Sequence, residues 1–308
     1  MARLHATDGV TPTTGVTGVT IAVTGASGFC GGEVARAAAA RGAEVLCVGR
    51  RPGPVGRHLS WDAATEPPDL GGADLVVHCA AAVGDHPPGS PAEAEQYAVN
   101  VAGTARLLAA AAGRPVVWVS SASVYDPRLD RSRVAEEHPS AGGQLNAYGR
   151  SKAAGERLAL AAGAVVLRPR AVYGTGDPHL LPRVLARVRR GLLLLPGADV
   201  SLSLTAVQNL ADACLAAAGW PPGAYNIADA EPYRRDEVLR RLLAAHGVRA
   251  RIGHVPLPLV RLARRRSPEL TPYAVDQLAS SVVLDTAKAR AQGWRPTHDL
   301  ADYLARCR

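Results

Sequence analysis

The sequence predicts an α/β fold in which a doubly wound parallel sheet is followed by a smaller C-terminal lobe. From residue 19 onward, short runs rich in Val, Ile and Leu alternate with longer runs rich in Ala and Leu. The short runs lack polar alternation, as in strands covered on both faces, and the longer runs have the length of helices. This alternation of strands and helices implies a parallel sheet flanked by helices.

The elements of the first half follow in chain order. Val19–Thr24 predicts a strand that leads through a glycine-rich turn into a helix at Gly32–Arg41, and Glu44–Val48 predicts the second strand. Further on we expect a strand at Ala73–Cys79, a mostly helical stretch at Pro91–Ala112, a strand at Pro115–Ser120, a helix at Ala147–Ala162 and a strand at Ala164–Leu167.

The pattern changes after Arg168. A loop is followed by a basic helix to about Gly191, a short strand near Val200–Thr205, a helix at Val207–Ala218 and short helices separated by Pro and Gly. Arg183, Arg187 and Arg190 recur at helical spacing and are expected on a solvated face. We therefore divide the chain into a flexible leader (1–17), a sheet domain (18–168) and a mainly substrate-binding lobe (169–308) that can return strands to the sheet.

Composition excludes several classes of protein. The 308 residues, 47% of them hydrophobic, are enough for a packed core. No apolar run is long enough to span a membrane, and the first residues lack the apolar core of a signal peptide, which favours the cytoplasm. The net charge of +8 comes without a nucleic-acid-binding motif, so nucleic acid is not an expected partner. The five scattered cysteines predict buried free thiols, and the histidines show no metal-ligand spacing.

A glycine motif joins the first predicted strand to the first helix. In Thr24-Gly-Ala-Ser-Gly-Phe-Cys-Gly31, Gly25 permits a tight turn, Gly28 lets the backbone approach a pyrophosphate, and Gly31 lets helix and strand pack closely. The N–H groups at the start of the helix would face the phosphates. The domain at 18–168 is therefore predicted to be a Rossmann-type dinucleotide-binding domain.

The end of the second strand bears on the choice of nucleotide. A site that prefers NAD places an acidic residue there for the ribose hydroxyls, but this chain has Arg50 and Arg51 instead. Guanidinium groups can bind a 2′-phosphate bidentately, which favours NADP over NAD. The alternative is that both arginines are solvated loop residues.

A tyrosine and a lysine are placed one helical turn apart at the start of a predicted helix. Tyr148 and Lys152 share a helix face, and a nearby ammonium favours ionisation of the phenol. The spacing becomes informative because Ser120-Ser-Ala-Ser-Val-Tyr125 follows a predicted strand upstream and can present a hydroxyl to the same carbonyl. These residues predict acid–base chemistry at a carbonyl or alcohol.

Together these motifs resemble those of the extended short-chain dehydrogenases/reductases, the NAD-dependent epimerase/dehydratase family. TGASGFCG is similar to the family's TGxxGFxG loop, and SSASVY precedes YGRSK as in the family. The other matching segments are HCAAA at 78–82, NVAGT at 100–104, LRPRAVYG at 167–174 and GWRP at 293–296. They occur in the family's order across most of the chain.

The resemblance implies a role for individual residues. Ser121 would hydrogen-bond the substrate oxygen, Tyr148 would exchange the proton, and Lys152 would hold the ribose and tune Tyr148. Ser123 and Tyr173 are expected to face the substrate, with packing as the alternative for Tyr173. The expected cofactor groove comprises Gly25, Ser27, Gly28, Phe29, Cys30, Gly31, Arg50, Arg51, Asp62, Ala63, Ala80, Ala81, Ala82, Asn100, Tyr148, Lys152 and Pro169, with Asp62 and Ala63 at the adenine unless Asp62 only serves a turn.

Departures from the family pattern narrow the expected function. The family's sugar dehydratases carry an acidic pair after the catalytic hydroxyl residue, where this chain has Ala122 and Ser123. Several nucleotide-sugar epimerases place Asn where this chain has Ala171, which cannot help to hold a diphosphate, although Arg170 could. The turn continues as Gly-Thr-Gly-Asp-Pro-His-Leu-Leu-Pro at 174–182 before a predicted helix, and this resembles the branch containing 3β-hydroxysteroid dehydrogenase-like enzymes and 3-keto-reductases.

We therefore expect an NAD(P)-dependent enzyme of the carbonyl reductase or alcohol dehydrogenase type. It would interconvert a ketone and a secondary alcohol on a medium-sized, largely apolar metabolite, with NADP preferred to NAD. One alternative is a nucleotide-sugar epimerase with retained NAD, and another is a non-catalytic protein that senses the nucleotide. The helices at Pro91–Ala112 and Ala147–Ala162 correspond to those that form a four-helix dimer interface in many relatives, so we also expect a homodimer.

Overall fold

The structure is a computed structural model that describes residues 17–178, 180–264, 267 and 270–307. Apart from Thr17, the predicted leader lies outside the described residues. The strands are β1 (Thr20–Thr24), β2 (Glu44–Val48), β3 (Arg57–Leu59), β4 (Leu75–His78), β5 (Val116–Val119), β6 (Val165–Pro169), β7 (Val172–Tyr173), β8 (Leu192–Pro196), β9 (Ser201–Leu202), β10 (Thr205–Ala206), β11 (Gly223–Ile227), β12 (Tyr233–Arg234) and β13 (Arg251–Val255).

The helices surround these strands. They are α1 (Phe29–Ala40), α2 (Pro91–Tyr97), α3 (Thr104–Ala111), α4 (Ala147–Ala161), α5 (Leu180–Leu185), α6 (Val207–Ala216), α7 (Arg235–Ala245), α8 (Leu257–Ala263), α9 (Pro272–Ala279), α10 (Ala287–Ala291) and α11 (Leu300–Arg306). A π-helical turn at Ala98–Gly103 connects α2 to α3, so the stretch predicted as mostly helical is helical in three different segments.

The predicted doubly wound sheet is confirmed. Seven parallel strands are arranged in the order β11-β6-β5-β4-β1-β2-β3. Their Val, Ile and Leu side chains are buried on both faces, against α1 and α6 on one side and α3 and α4 on the other. The strand order reverses between β1 and β4, which is where the crevice of such a sheet lies. Strand β11, from the C-terminal half, pairs with β6 and so completes the sheet.

The C-terminal lobe has its own hydrophobic core, built from β8, α7 and α11. Leu193 and Leu195 of β8 pack with Leu239 and Leu242 of α7 and with Leu304 of α11. Strand β8 is paired in parallel with β13, separately from the large sheet. The expected strand near Val200–Thr205 is divided into β9 and β10, which belong to two different small sheets.

The prediction of a basic helix that reaches Gly191 is wrong. Helix α5 ends at Leu185, and Arg190 and Gly191 have positive φ angles of 51° and 72° in a tight turn before β8. Side chains along β8 then alternate between exposed and buried, which is the period of a strand. Arg183, Arg187 and Arg190 therefore do not share a helix face.

Three properties of the described residues bear on function. None of the described helices combines the length and apolarity that crossing a bilayer requires. Within the same ranges, no group of three or more His, Cys, Asp or Glu side chains is arranged to hold a metal ion. All five cysteines are free, but only Cys47 and Cys214 are buried, so the prediction of buried thiols is correct only in part.

Candidate active site

The glycine motif forms the turn between β1 and α1 at the crevice. Gly25 has φ +67°, and a Cβ there would lie 2.8 Å from Cα of Ala80. A Cβ at Gly31 would collide with the carbonyl oxygen of Gly25, so the turn and the first helical residues can approach only as glycines. The start of α1 thus presents backbone N–H groups to the crevice, an arrangement that fits a pyrophosphate.

The next wall of the groove is formed by Ala80–Ala82, after β4. Asn100 holds this segment from behind, because its Oδ1 accepts from Ala82 N at 2.8 Å and its Nδ2 donates to Ala82 O at 2.9 Å and to Ser151 Oγ at 2.9 Å. Ala80–Ala82 line the cavity. Asn100 is buried and does not, so its predicted role in contacting the cofactor is replaced by one in positioning the groove.

Arg50 and Arg51 lie exposed at the nucleotide end of the same cavity. No ion pair among the described residues involves either arginine, whereas Arg36 nearby is paired with Glu33. Asp62 also lines the cavity, and its Oδ1 accepts a hydrogen bond from Ala64 N at 2.9 Å. The carboxylate of Asp62 therefore stabilises a turn as well as facing the groove.

The structure brings Ser121, Tyr148 and Lys152 together at the carboxyl edge of the sheet. Ser121 follows β5, whereas Tyr148 and Lys152 lie on α4, which begins with Asn146 accepting from Gly149 N at 2.8 Å. The Ser121 hydroxyl lies near enough to the Tyr148 phenol to lower its pKa. All three side chains line the cavity together with the glycine loop and Pro169.

Burial dominates the electrostatics of this group. It raises the pKa of the Tyr148 phenol well above the usual value, with Tyr273 and Cys30 acting in the same direction and the Ser121 hydrogen bond opposing them. Burial also lowers the pKa of Lys152 to about 7. The Lys152 Nζ atom donates to Val119 O at 2.7 Å and lies 3.6 Å from the ring centroid of Trp118. Without a bound nucleotide, Tyr148 is thus a neutral phenol at pH 7.

The hydroxyl groups extend beyond the residues predicted from motifs. Ser121 Oγ donates to Ser123 Oγ at 3.0 Å, and Ser123 Oγ lies 3.2 Å from the hydroxyl of Tyr273. Tyr273, on α9, was not expected at the site. It lies 150 residues from Ser123 in the chain, and no local motif marks it. Its side chain lines the same cavity.

Helix α9 is fixed over the site at both ends. At one end Thr271 donates to Asp85 Oδ2 at 2.5 Å, and at the other Arg131 forms an ion pair with Asp276 at 2.5 Å. Both contacts join the C-terminal lobe to loops of the sheet domain. They place Tyr273 opposite Ser123.

The prediction that Tyr173 faces the substrate is wrong. Its side chain is buried, and its hydroxyl donates to Asp229 Oδ2 at 2.6 Å while the ring packs against Tyr303. These contacts orient Tyr173 into the core of the lobe. Ser123, by contrast, does line the cavity.

The cavity as a whole has a volume of about 960 Å³ and runs from the nucleotide groove into the lobe. The part inside the lobe is bordered by aliphatic side chains of β8, β9, α7 and the loop after β9. They are Leu193, Leu195, Leu202, Leu204, Val238 and Leu239. The site therefore offers a polar reacting centre next to an apolar chamber.

Comparison with known proteins finds relatives that are similar in sequence and solved structures that are similar in fold. A family model described as the NAD dependent epimerase/dehydratase family matches residues 21–228. A 2-alkyl-3-oxoalkanoate reductase of Shewanella oneidensis is 30% identical, over 87% of this chain and 80% of that protein. A 3-beta-hydroxysteroid dehydrogenase of Mycolicibacterium neoaurum is 27% identical, over 93% of this chain and 90% of that protein.

Among solved structures, the protein MoeE5 in complex with UDP-glucuronic acid and NAD is similar with a TM-score of 0.73. It is 26% identical in sequence, and the match covers 94% of this chain and 97% of that one. The whole described architecture, lobe included, is thus shared with a protein that binds NAD.

Proposed function

Because the chain belongs to the NAD dependent epimerase/dehydratase family and is an oxidoreductase of the short-chain dehydrogenase/reductase type, we propose that it interconverts a ketone and a secondary alcohol by hydride transfer, with Tyr148 as acid and base. The observation that carries this proposal is that Ser121 and Tyr148 line the same cavity as the glycine loop, with the Ser121 hydroxyl near enough to the Tyr148 phenol to lower its pKa. Two neighbouring hydroxyls can bind one carbonyl oxygen from two sides.

Tyr148, Ser121 and Lys152 have different roles in the proposed reduction of a ketone. When bound, the nicotinamide nucleotide supplies the hydride for the carbonyl carbon. Tyr148, neutral because it is buried, donates its proton to the oxygen while Ser121 donates a hydrogen bond to it. Lys152 lies one turn further along α4 and lines the same cavity, and we assign to it the holding of the ribose and the tuning of the phenol. In the oxidative direction Tyr148 must first lose its proton, so that direction is favoured at higher pH.

We propose a medium-sized, largely apolar substrate. The chamber beyond Ser123 is bordered by buried leucine and valine side chains, which favour aliphatic groups over sugars. The names of the related reductase and steroid dehydrogenase are consistent with such a substrate.

NADP(H) is proposed in preference to NAD(H). Arg50 and Arg51 follow the second strand, line the cavity, and form no ion pair with the described residues. The 2′-phosphate of NADP(H) brings about two negative charges, as other phosphomonoesters do near neutral pH. These arginines can therefore bind it without first giving up another partner.

The rival function is epimerisation of a nucleotide sugar with retained NAD, which the similarity to MoeE5 supports. The two functions differ in how the nucleotide is held. A reductase must exchange its nucleotide after every turnover, whereas such an epimerase keeps it. Mass spectrometry of the nucleotide that copurifies with the native protein therefore separates them: stoichiometric NAD would favour the epimerase.

Steady-state reduction of a panel of alkyl ketones with NADPH tests the leading proposal directly. Turnover also excludes the non-catalytic nucleotide sensor. Absence of turnover in both directions, with nucleotide bound, would contradict the proposal.

We also propose that the enzyme is a cytoplasmic homodimer. The five cysteines form no disulfide, as expected for a protein of a reducing compartment. Helices α2, α3 and α4 pack together on one face of the sheet, where they can meet those of a second subunit.

A further inference from the structure

Arg170 is a buried arginine without a carboxylate partner among the residues that the structure describes. Only 5% of it is exposed, and its guanidinium donates through Nη1 to Ser203 O at 3.0 Å. Other buried arginines are paired: Arg131 with Asp276, Arg168 with Glu156, and Arg235 with Asp236. Burial lowers the pKa of Arg170 to about 10, so it is still a cation at neutral pH. A buried charge is costly unless it is paired, so this position calls for an anion.

The guanidinium lies beside the reacting centre. Arg170 follows β6 directly and lines the same cavity as Ser121 and Tyr148. Tyr273, Arg131 and Asp276 all influence the pKa of Arg170, and Tyr273 contacts Ser123. An anion held by Arg170 would therefore lie close to a carbonyl held by Ser121 and Tyr148.

The acidic side chains of this part of the wall are already engaged. Asp276 is paired with Arg131, and Asp85 accepts from Thr271. Neither forms an ion pair with Arg170. Asp276 acts on the Arg170 cation without a direct ion pair, so the guanidinium can still pair with an anion that enters the cavity.

The remainder of the chamber is apolar. Leu193, Leu195, Leu204, Val238 and Leu239 border it and belong to the core of the lobe. A nucleoside diphosphate would place a polar base and several charges near these side chains. An aliphatic acid would place one charge at Arg170 and its alkyl chains among the leucine and valine side chains.

We propose that the substrate is an aliphatic oxoacid or hydroxyacid whose carboxylate is bound by Arg170 while its alkyl chains occupy the leucine-lined chamber. This assignment of a substrate class rests on the proposed ketone–alcohol function. It makes Arg170 the residue that selects acids over neutral ketones. The carboxylate stays unchanged, and only the carbonyl or hydroxyl group on a nearby carbon gains or loses hydride and proton.

The test separates binding from turnover. With the full-length protein loaded with NADPH, isothermal titration measures dodecanoate, methyl dodecanoate and UDP. We expect dodecanoate to bind about 10- to 100-fold more tightly than its ester, the range given by a hydrogen-bonded charge pair in a desolvated site. Arg170→Met should remove this preference, and Arg170→Lys should restore part of it.

Arg183→Gln is the matched control, because it removes one positive charge from an exposed side chain that borders the same cavity. It should keep the preference for the acid. Thermal unfolding of each variant checks that it is folded. Equal binding of acid and ester by the wild type, no binding of either, or an equal loss for both in Arg170→Met would overturn the proposal. So would binding of UDP that is tighter than that of dodecanoate and depends on Arg170.

Oxidation of 3-hydroxydodecanoate, its methyl ester and 2-dodecanol with NADP⁺ distinguishes the two levels of inference. Turnover of the neutral alcohol or ester, with the acid no better, would contradict the role of Arg170 and leave the ketone–alcohol function standing. Acid-selective binding without turnover of any alcohol would support Arg170 and contradict the proposed function.

Discussion

Three hydroxyl groups are linked in a row by hydrogen bonds, from Ser121 through Ser123 to Tyr273, and the Tyr148 phenol lies close to Ser121. Ser121 and Ser123 are each held by a neighbouring hydroxyl, so under the proposed function Ser121 would need little reorganisation to bind the substrate oxygen. Preorganised donors of this kind are a major source of catalysis at carbonyl groups. The row also shows why the site needs both lobes, since Tyr273 comes from α9.

Replacing Tyr148 with Phe should reduce kcat about 10²- to 10⁴-fold, because only proton exchange is lost. The Kd for NADPH should change little, and titration by fluorescence measures it alongside steady-state turnover. Ser121→Ala should also lower kcat, by removing the second donor. If Tyr148→Phe retained more than about a tenth of the wild-type kcat, the acid–base role of Tyr148 would be wrong.

The double replacement of Arg50 and Arg51 with Ala should weaken NADPH and leave NADH nearly unchanged. The wild type should bind NADPH more tightly, and this margin should shrink as salt is added, because exposed ion pairs are screened. Nucleotide titrations at low and high salt measure both effects. Arg36→Ala, at an exposed arginine paired with Glu33, is the control for general loss of charge. Equal losses for both nucleotides would show that the two arginines are only solvated.

At the scale of elements, the pair β1–β4 determines the position of the crevice. Thr24 and His78 end these strands and are joined by a hydrogen bond of 2.7 Å, and Ala80 N donates to the same hydroxyl at 3.2 Å. The start of the cofactor groove thus depends on a buried imidazole. Burial lowers the pKa of His78 to about 3, and the nearby Lys152 acts in the same direction.

This shift makes the stability of the unliganded protein depend on pH. The native pKa of His78 lies below the unfolded value, so the unfolded chain takes up a proton that the folded chain refuses. Stability is therefore lost as pH falls below about 6.5, and the free energy of unfolding should decrease by about 2 kcal/mol between pH 7 and pH 5 from this group. Urea unfolding across this range measures it.

His78→Asn should flatten that slope while keeping a hydrogen-bonding atom near Thr24. The same substitution at the partly exposed His298 controls for the loss of one histidine. Parallel slopes in wild type and His78→Asn would contradict the assignment of this pH dependence to His78.

The sequence predicts the elements of the sheet well and those of the lobe less well, for physical reasons. Glu44–Val48 is a strand in both the prediction and the structure, because a buried parallel strand is a continuous apolar run. The prediction of a helix reaching Gly191 is wrong because it is based on the spacing of the arginines. The turn at Arg190 and the alternating burial of β8 depend instead on packing within the lobe. Strand β11 at Gly223–Ile227 is not predicted for a similar reason, since it is its pairing with β6 that identifies this segment as a strand.

The site shows the same division. Ser121, Tyr148 and Lys152 are recognised because a motif ties each to the end of a strand or the start of a helix. Tyr273 is not recognised, because only tertiary contacts bring it to the cavity. The sequence does mark Arg170 as able to bind an anion, but only the structure shows that it is buried in the wall of this cavity. Tyr173 carries a family motif, yet its hydroxyl is engaged by Asp229 within the core. Sequence motifs therefore identify the residues that the family shares at its reacting centre. Tertiary packing determines which other side chains line the cavity.

At the scale of the whole molecule, the two lobes are interleaved along the chain. Strand β11 returns to the large sheet after the lobe has begun, and α9 reaches back over the site. The contacts Thr271–Asp85 and Arg131–Asp276 join the lobes on either side of Tyr273. The cavity is consequently completed only when both lobes have folded.

The proposed homodimer would form through the outer surface of α2, α3 and α4. Helix α4 packs on α2 and α3, and its buried side faces the sheet through Ala159. On the other side Leu158 is 37% exposed, next to Arg157, which is also exposed. An isologous interface across this face would bury the same leucine from each subunit.

Sedimentation velocity at micromolar concentration should therefore give the mass of a dimer. Leu158→Arg should shift the protein to monomer, because two copies would bring four arginines together near the symmetry axis and bury charge at the centre of the interface. Leu129→Arg, at another exposed leucine on a loop of the sheet domain, is the matched control and should remain dimeric. Circular dichroism establishes that both variants are folded. A wild-type monomer, or dissociation of both variants alike, would show that this helical face is not the interface.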